Sequence, residues 1–143
     1  MVQTAARKRK AREFALQLLF QEDVAGNPPD EILKMFWEAN RSDPQTRSFS
    51  ENLFNRCMVE RGQIDDLIAR HAKNWKMERM AVVDRSLLRL SVSEFLSGAT
   101  PAAVVIDEAV ELARKFSGGE SSVFVNGVLD SIRKELEGEV EKP

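Results

Sequence analysis

Apolar residues return every three or four positions along nearly the whole chain and nowhere alternate one by one, a pattern that predicts helices and no strands. In the first predicted helix, residues 5–23, Ala11, Phe14, Ala15 and Leu18 share one face, and Thr4 stands in the capping position. Gly26, Asn27, Pro28 and Pro29 break the pattern before residues 30–40 resume it through Ile32, Leu33, Phe36 and Trp37. Asp43 followed by Pro44 predicts a third, capped helix carrying Phe49, Leu53, Phe54, Cys57 and Met58. Gly62 is expected to divide it from a fourth, whose stripe is Ile64, Leu67, Ile68 and His71. Trp75, inside the polar stretch 73–78, is expected to plug the junction before a long helix over residues 79–96. Gly98 ends that helix, Thr100 and Pro101 open a segment over 104–116, and Ser117, Gly118 and Gly119 turn the chain into a last helix, 120–137. The prediction is an all-α fold of about seven helices, antiparallel where the connections are short.

At 143 residues the chain is long enough for one domain, or for two small subdomains sharing a core. Its net charge of −2 hides an asymmetry. Residues 1–12 carry five basic groups and no acid, so residues 13–143 hold 16 basic against 23 acidic groups. Such a field disfavours a broad polyanion-coating surface and suits a confined, salt-sensitive patch. One cysteine, Cys57, excludes an internal disulfide and a cysteine-rich metal cluster. With no stretch of membrane-spanning length and no secretory leader pattern, the expected setting is the cytoplasm, with no membrane partner. Residues 138–143 read as a frayed tail.

The basic cluster is Arg7, Lys8, Arg9, Lys10 and Arg12, set among strong helix formers. Helical geometry places Arg9, Glu13, Leu16 and Phe20 in one row nearly opposite the core face, with Arg12 beside them, so a ring and a guanidinium share one outward row. Stacking surface and phosphate-binding charge together suit single-stranded nucleic acid. A solvated charge run, an import signal, or packing of Leu16 and Phe20 against a second helical layer would produce the same letters.

Little else carries chemistry. His71 has no second histidine with which to share a metal and lies on an apolar stripe, and Cys57 occupies a core position, so both read as structural. No phosphate-cradling loop, dinucleotide fingerprint or serine elbow is present. No enzymatic activity, cofactor or metal is expected. Asp84 falls within the apolar arc of its helix, either as a charge favoured at a helix start or as a rim acid awaiting a cationic partner. Phe124 lies at the edge of the last stripe, and nearby Gly127 suggests a close helix approach.

The stretches ARKRKAREFALQLLF, VVDRSLLRLSVSEF and TPAAVVIDEAVELARKFSGGESSVFVNGVLDSI closely resemble the NusB family of transcription antitermination factors, over nearly the whole chain. The resemblance implies two packed helical subdomains, about 1–76 and 77–137, forming one RNA-binding domain without enzymatic activity. It implies binding of the boxA element of nascent ribosomal RNA with the partner NusE, a small-subunit ribosomal protein, within an RNA polymerase antitermination complex. Homodimers occur in some members. By position, Arg7 to Arg12 would hold phosphates, Phe20 would meet RNA bases, Glu120 and Phe124 would border the same surface, and Asp84 with Arg89 would face NusE. Ala103 and Val123 stand where relatives often carry polar or basic side chains, which removes two possible RNA contacts. Two rivals remain: an RNA-binding domain like that of ribosomal-RNA cytosine methyltransferases, against which the chain length weighs, and a helical protein adaptor.

Overall fold

The computed structural model describes residues 4–138. Seven α-helices run in the order α1 (Ala5–Ala25), α2 (Pro29–Ala39), α3 (Pro44–Val59), α4 (Arg61–His71), α5 (Val82–Ser97), α6 (Ala102–Phe116) and α7 (Gly119–Leu136). A single 3-10 turn, Met77–Arg79, precedes α5. Among the described residues there is no strand.

Local chemistry sets several helix ends. The Thr4 hydroxyl accepts a hydrogen bond from the Arg7 amide at 3.1 Å, and Gly26 closes α1 in the left-handed conformation, its N–H donating to the Glu22 carbonyl. Asp43 caps α3, accepting from the Thr46 amide at 3.0 Å and the Thr46 hydroxyl at 2.7 Å. These hydrogen bonds, the hydroxyl's first, hold the Asp43 carboxyl below its ordinary pKa.

Helix α5 is the hub. It packs against α1, α3, α4, α6 and α7, and Leu87, Leu88, Leu90 and Val92 are all buried. A helix covered on so many sides cannot keep its polar residues wet, and Ser86, Arg89, Ser91, Ser93 and Glu94 are buried with it. One hydrophobic cluster runs from Phe14 to Ile132, so the halves on either side of the α4–α5 connection share a core. At its edge, Phe14, Phe36 and Trp37 meet edge to face with centroids 4.9 to 5.5 Å apart, fastening α2 to α1.

Three expectations change, and a fourth lies almost wholly outside the described residues. The division between α3 and α4 falls at Glu60, whose backbone departs from helical geometry; Gly62 lies inside the first turn of α4. Gly127 is exposed, and a methyl placed there would meet nothing within 4 Å, so it permits no close approach. Trp75 does not plug the junction: it is exposed, and buried Ala72 and Met80 close that corner instead. Of the expected tail only Gly138 is described; residues 139–143 lie outside the described residues.

His71 and Cys57 are structural in geometry. His71 Nδ1 lies 2.6 Å from the Ser131 hydroxyl and Nε2 lies 2.9 Å from Glu135, tying α4 to α7. Burial pushes the Cys57 thiol up to about 12, far from a reactive thiolate.

Candidate nucleic-acid interface

The first two turns of α1 present four cations in differing states of engagement. Arg7 reaches α3, donating to Gln45 at 2.8 Å and lying 3.5 Å from Asp43. Lys8 lines a groove with Thr100, Pro101 and Val104, at the turn between α5 and α6. It makes no ion pair among the described residues. Arg9 has a side chain 70% exposed and one contact, Glu108 at 3.0 Å. Lys10 lies 3.8 Å from Glu13 and over the Phe14 ring. Exposed ion pairs of this kind contribute less than about 1 kcal/mol, so a phosphate can displace the acid at little cost.

Arg12 is different. Its Nε and Nη2 donate to the two Glu94 oxygens at 2.8 and 2.9 Å, and its side chain is only 4% exposed. Burial opposes its charge, yet the hydrogen bond and the charge of Glu94 outweigh it and raise the pKa above the ordinary value. Instead of standing with the cations of the preceding turn, Arg12 is locked between α1 and α5. The outward row is also interrupted: Leu16 is buried, and Glu13 is held by Lys115 of α6 at 2.7 Å. Ion pairs from Arg9 to Glu108 and from Glu13 to Lys115 lay α6 along this side of α1. Phe20 does emerge, 39% exposed, but about 16 Å from Arg9 along the helix axis.

Helices α1 and α5 are antiparallel, as Arg12–Glu94 at one end and Asp23–Arg85 at the other require. The remaining candidates gather at the far end. Asp84, in the first turn of α5, accepts a hydrogen bond from the Ser121 hydroxyl at 2.8 Å and lines a cleft with Trp75, Arg79, Glu120 and Phe124. Phe124 is half-buried, and Glu120 is exposed. Arg89 does not join them. It is buried, donating to both oxygens of Asp65 at 2.8 and 3.0 Å and lying 3.6 Å from Asp23, so it braces α5 against α4 and α1. Arg89 and Asp84 are equally buried, but only Asp84 lines the cleft, so the expectation that Arg89 stands near it there is corrected.

Sequence reasoning gave Trp75 only a packing role, yet it stands 57% exposed at the cleft with its ring 6.1 Å from that of Phe124. The signal was available in its setting, a tryptophan amid Lys73, Asn74 and Lys76. Ala103 and Val123 are both exposed and add no donor to the surface. Among the described residues, no group of three or more His, Cys, Asp or Glu is placed to hold a metal ion. No described helix is long and apolar enough to cross a membrane.

The pattern of the NusB family matches residues 9–134. The chain belongs to the NusB family. It is 48% identical over 138 residues to the transcription antitermination protein NusB of Koribacter versatilis, covering 94% of each chain. Against the NusB of Solibacter usitatus it is 47% identical over 133 residues, covering 92% of this chain and 91% of the relative. A crystal structure of the antitermination factors NusB and NusE in complex with dsRNA is similar with a TM-score of 0.84 and 27% identity, over 92% of this chain and 99% of the solved one. The NusB match begins within the basic cluster and takes in Phe20, Asp84, Glu120 and Phe124.

Proposed function

We propose that this chain is an RNA-binding transcription antitermination factor, which binds a boxA-type single strand of nascent ribosomal RNA together with NusE and promotes processive transcription by RNA polymerase. Its mechanism is presentation: a short strand is held beside a partner protein, with no bond made or broken. Because it works on transcripts as they emerge, it acts in the cytoplasm. Membership of the NusB family supports the reading, as does the similar fold crystallised with NusE and dsRNA.

The observation that carries it for this chain is the exposed first turn and a half of α1. There Arg7, Lys8, Arg9 and Lys10 are set out on a folded helix with weak, exchangeable partners or none. These four hold phosphates. Phe20 offers a ring further along the same helix, and Glu120 and Phe124 border the strand beyond it. Asp84 faces NusE. Arg12 acts indirectly, by fixing the helix from which the four cations project.

Titrating a boxA-like strand at increasing salt tests this reading. Three to four phosphate contacts on a single strand predict a log–log slope of about −2 to −3. A flat salt response, or binding unchanged when Lys8 and Arg9 are both replaced by alanine, rules it out.

A further inference from the structure

In the seam between α1 and α6 the acids lie deeper than the bases. The Arg9 side chain stands mostly in water, but that of its partner Glu108 is only 17% exposed. One turn further along α1, Glu13 is 18% exposed beneath Lys10 and Lys115, both of which are more than half exposed. These pairs do not fasten a packed interface. Helices α1 and α6 are not packed closely on one another; α6 lies on α5 and α7, and the ion pairs reach across the seam. Bridges of that kind add little to stability, so two carboxylates set under the cations of this surface call for another account.

Each carboxylate stands where a phosphate oxygen would. Glu108 accepts from Arg9 Nε at 3.0 Å, and Glu13 accepts from Lys115 Nζ at 2.7 Å with Lys10 Nζ 3.8 Å away. Carboxylate and phosphate compete for the same N–H donors. We propose that Glu13 and Glu108 are resident competitors of the RNA backbone: they occupy the cations of the α1–α6 seam in the free protein, and a phosphate bound there takes its cation from one of them. This rests on the RNA-binding reading above and adds to it what limits the affinity of that site.

The consequence is a threshold. A bare row of cations takes up any polyanion, whereas a row with its own acids holds weakly any strand that offers only its backbone. A strand that also stacks on a ring passes the threshold. Because the acids act on phosphates and not on bases, they weaken every strand by the same factor. Lys8, which makes no ion pair among the described residues, is the one cation of the cluster that a phosphate reaches without competition.

The experiment measures binding of a boxA-like strand and of a scrambled strand of equal length to the full chain, to Glu13→Gln, to Glu108→Gln and to the double variant, per folded molecule by circular dichroism. Glutamine keeps an oxygen for Arg9 or Lys115 and removes the charge. Each substitution should tighten both strands about 1.5- to 5-fold, the range of an exposed ion pair, and the double variant by about the product, with the gain shrinking in high salt. In an Arg9→Ala background Glu108→Gln should no longer tighten binding, because the cation it releases is gone. Glu111→Gln removes the same charge from an exposed residue paired within α6 to Arg114, and should change affinity little. Unchanged or weaker binding by the double variant overturns the proposal, because the acids then position the cations. Equal tightening by Glu111→Gln overturns it as an effect of net charge, and tightening confined to the boxA-like strand overturns it as base reading. If replacing Lys8 and Arg9 by alanine leaves binding unchanged, the α1 reading itself falls; if that replacement weakens binding and the loss of both acids fails to tighten it, only the competitor role falls.

Discussion

Arg9 and Arg12 are three residues apart on one helix, yet they belong to different regimes. Arg9 stands in water with a single, half-buried acid at its tip, whereas Arg12 is enclosed with both Glu94 oxygens. The contrast extends to the helices that hold them: α1 turns its first cations outward, while α5 takes Arg89 and Glu94 into the packed interior. The same residue type is thus an exchangeable surface charge in one place and a structural tie in the other. Charge available to a ligand is charge whose present partner is easily replaced.

The most damaging way to break this contrast is to remove one member of the enclosed pair. Arg12→Ala leaves Glu94 buried and unpaired, and should cost about 3 to 5 kcal/mol of stability in urea denaturation. Replacing Arg12 by methionine and Glu94 by leucine together should restore much of that loss, because neither charge is then buried alone. A loss below about 0.5 kcal/mol for Arg12→Ala would mean that the guanidinium is solvated after all.

Arg89→Ala should come next, at about 1.5 to 3 kcal/mol, because Asp65 is more accessible than Glu94 and recovers some hydration. Per folded molecule, RNA affinity should be unchanged, which separates a brace from a contact. Arg9→Ala inverts the pattern. Stability should move by no more than about 0.5 kcal/mol, while the salt slope of RNA binding becomes shallower by about 0.7. If Arg9→Ala and Arg12→Ala altered stability equally, the division between exchangeable and enclosed charge would fail.

Much of the fold was legible because its signals are local. The stripe Ala11, Phe14, Ala15 and Leu18, the Asp43–Pro44 start and the glycine stops at Gly26 and Gly98 each depend on neighbours within a turn or two, and each stands where the pattern puts it. The site was less legible, because exposure is decided by partners distant in sequence. Nothing near Arg12 announces Glu94, 82 residues away, and Leu16 looks as free as Phe20 until the protein folds around it. Trp75 errs in the opposite direction: large and apolar, it reads as core, but Ala72 and Met80 already fill the corner it was expected to close. The cluster from Arg7 to Lys10 could be read early because four consecutive cations go all the way round one helical turn and cannot all be buried.

Acid titration sharpens the comparison from its exposed side, with the smallest effect. Asp43, Asp130 and Glu135 all lie at the surface with pKa values below the ordinary range: Asp43 through Thr46, Asp130 through Arg133, and Glu135 through His71 first and Arg70 next. A carboxyl whose folded pKa is lowered releases its proton more readily in the folded state. Its contribution is therefore present above the unfolded pKa, about 4, and disappears as pH falls through the lower folded value. Stability measured by thermal melting should be level at neutral pH and decline below about pH 4. Because these groups are solvated, the Arg133 and Arg70 parts of that decline should shrink in high salt, whereas the Asp43 part, which comes mainly from cap hydrogen bonds, should persist in an Asp43→Asn comparison. An acid decline wholly abolished by salt would show that the cap contributes nothing beyond its charge.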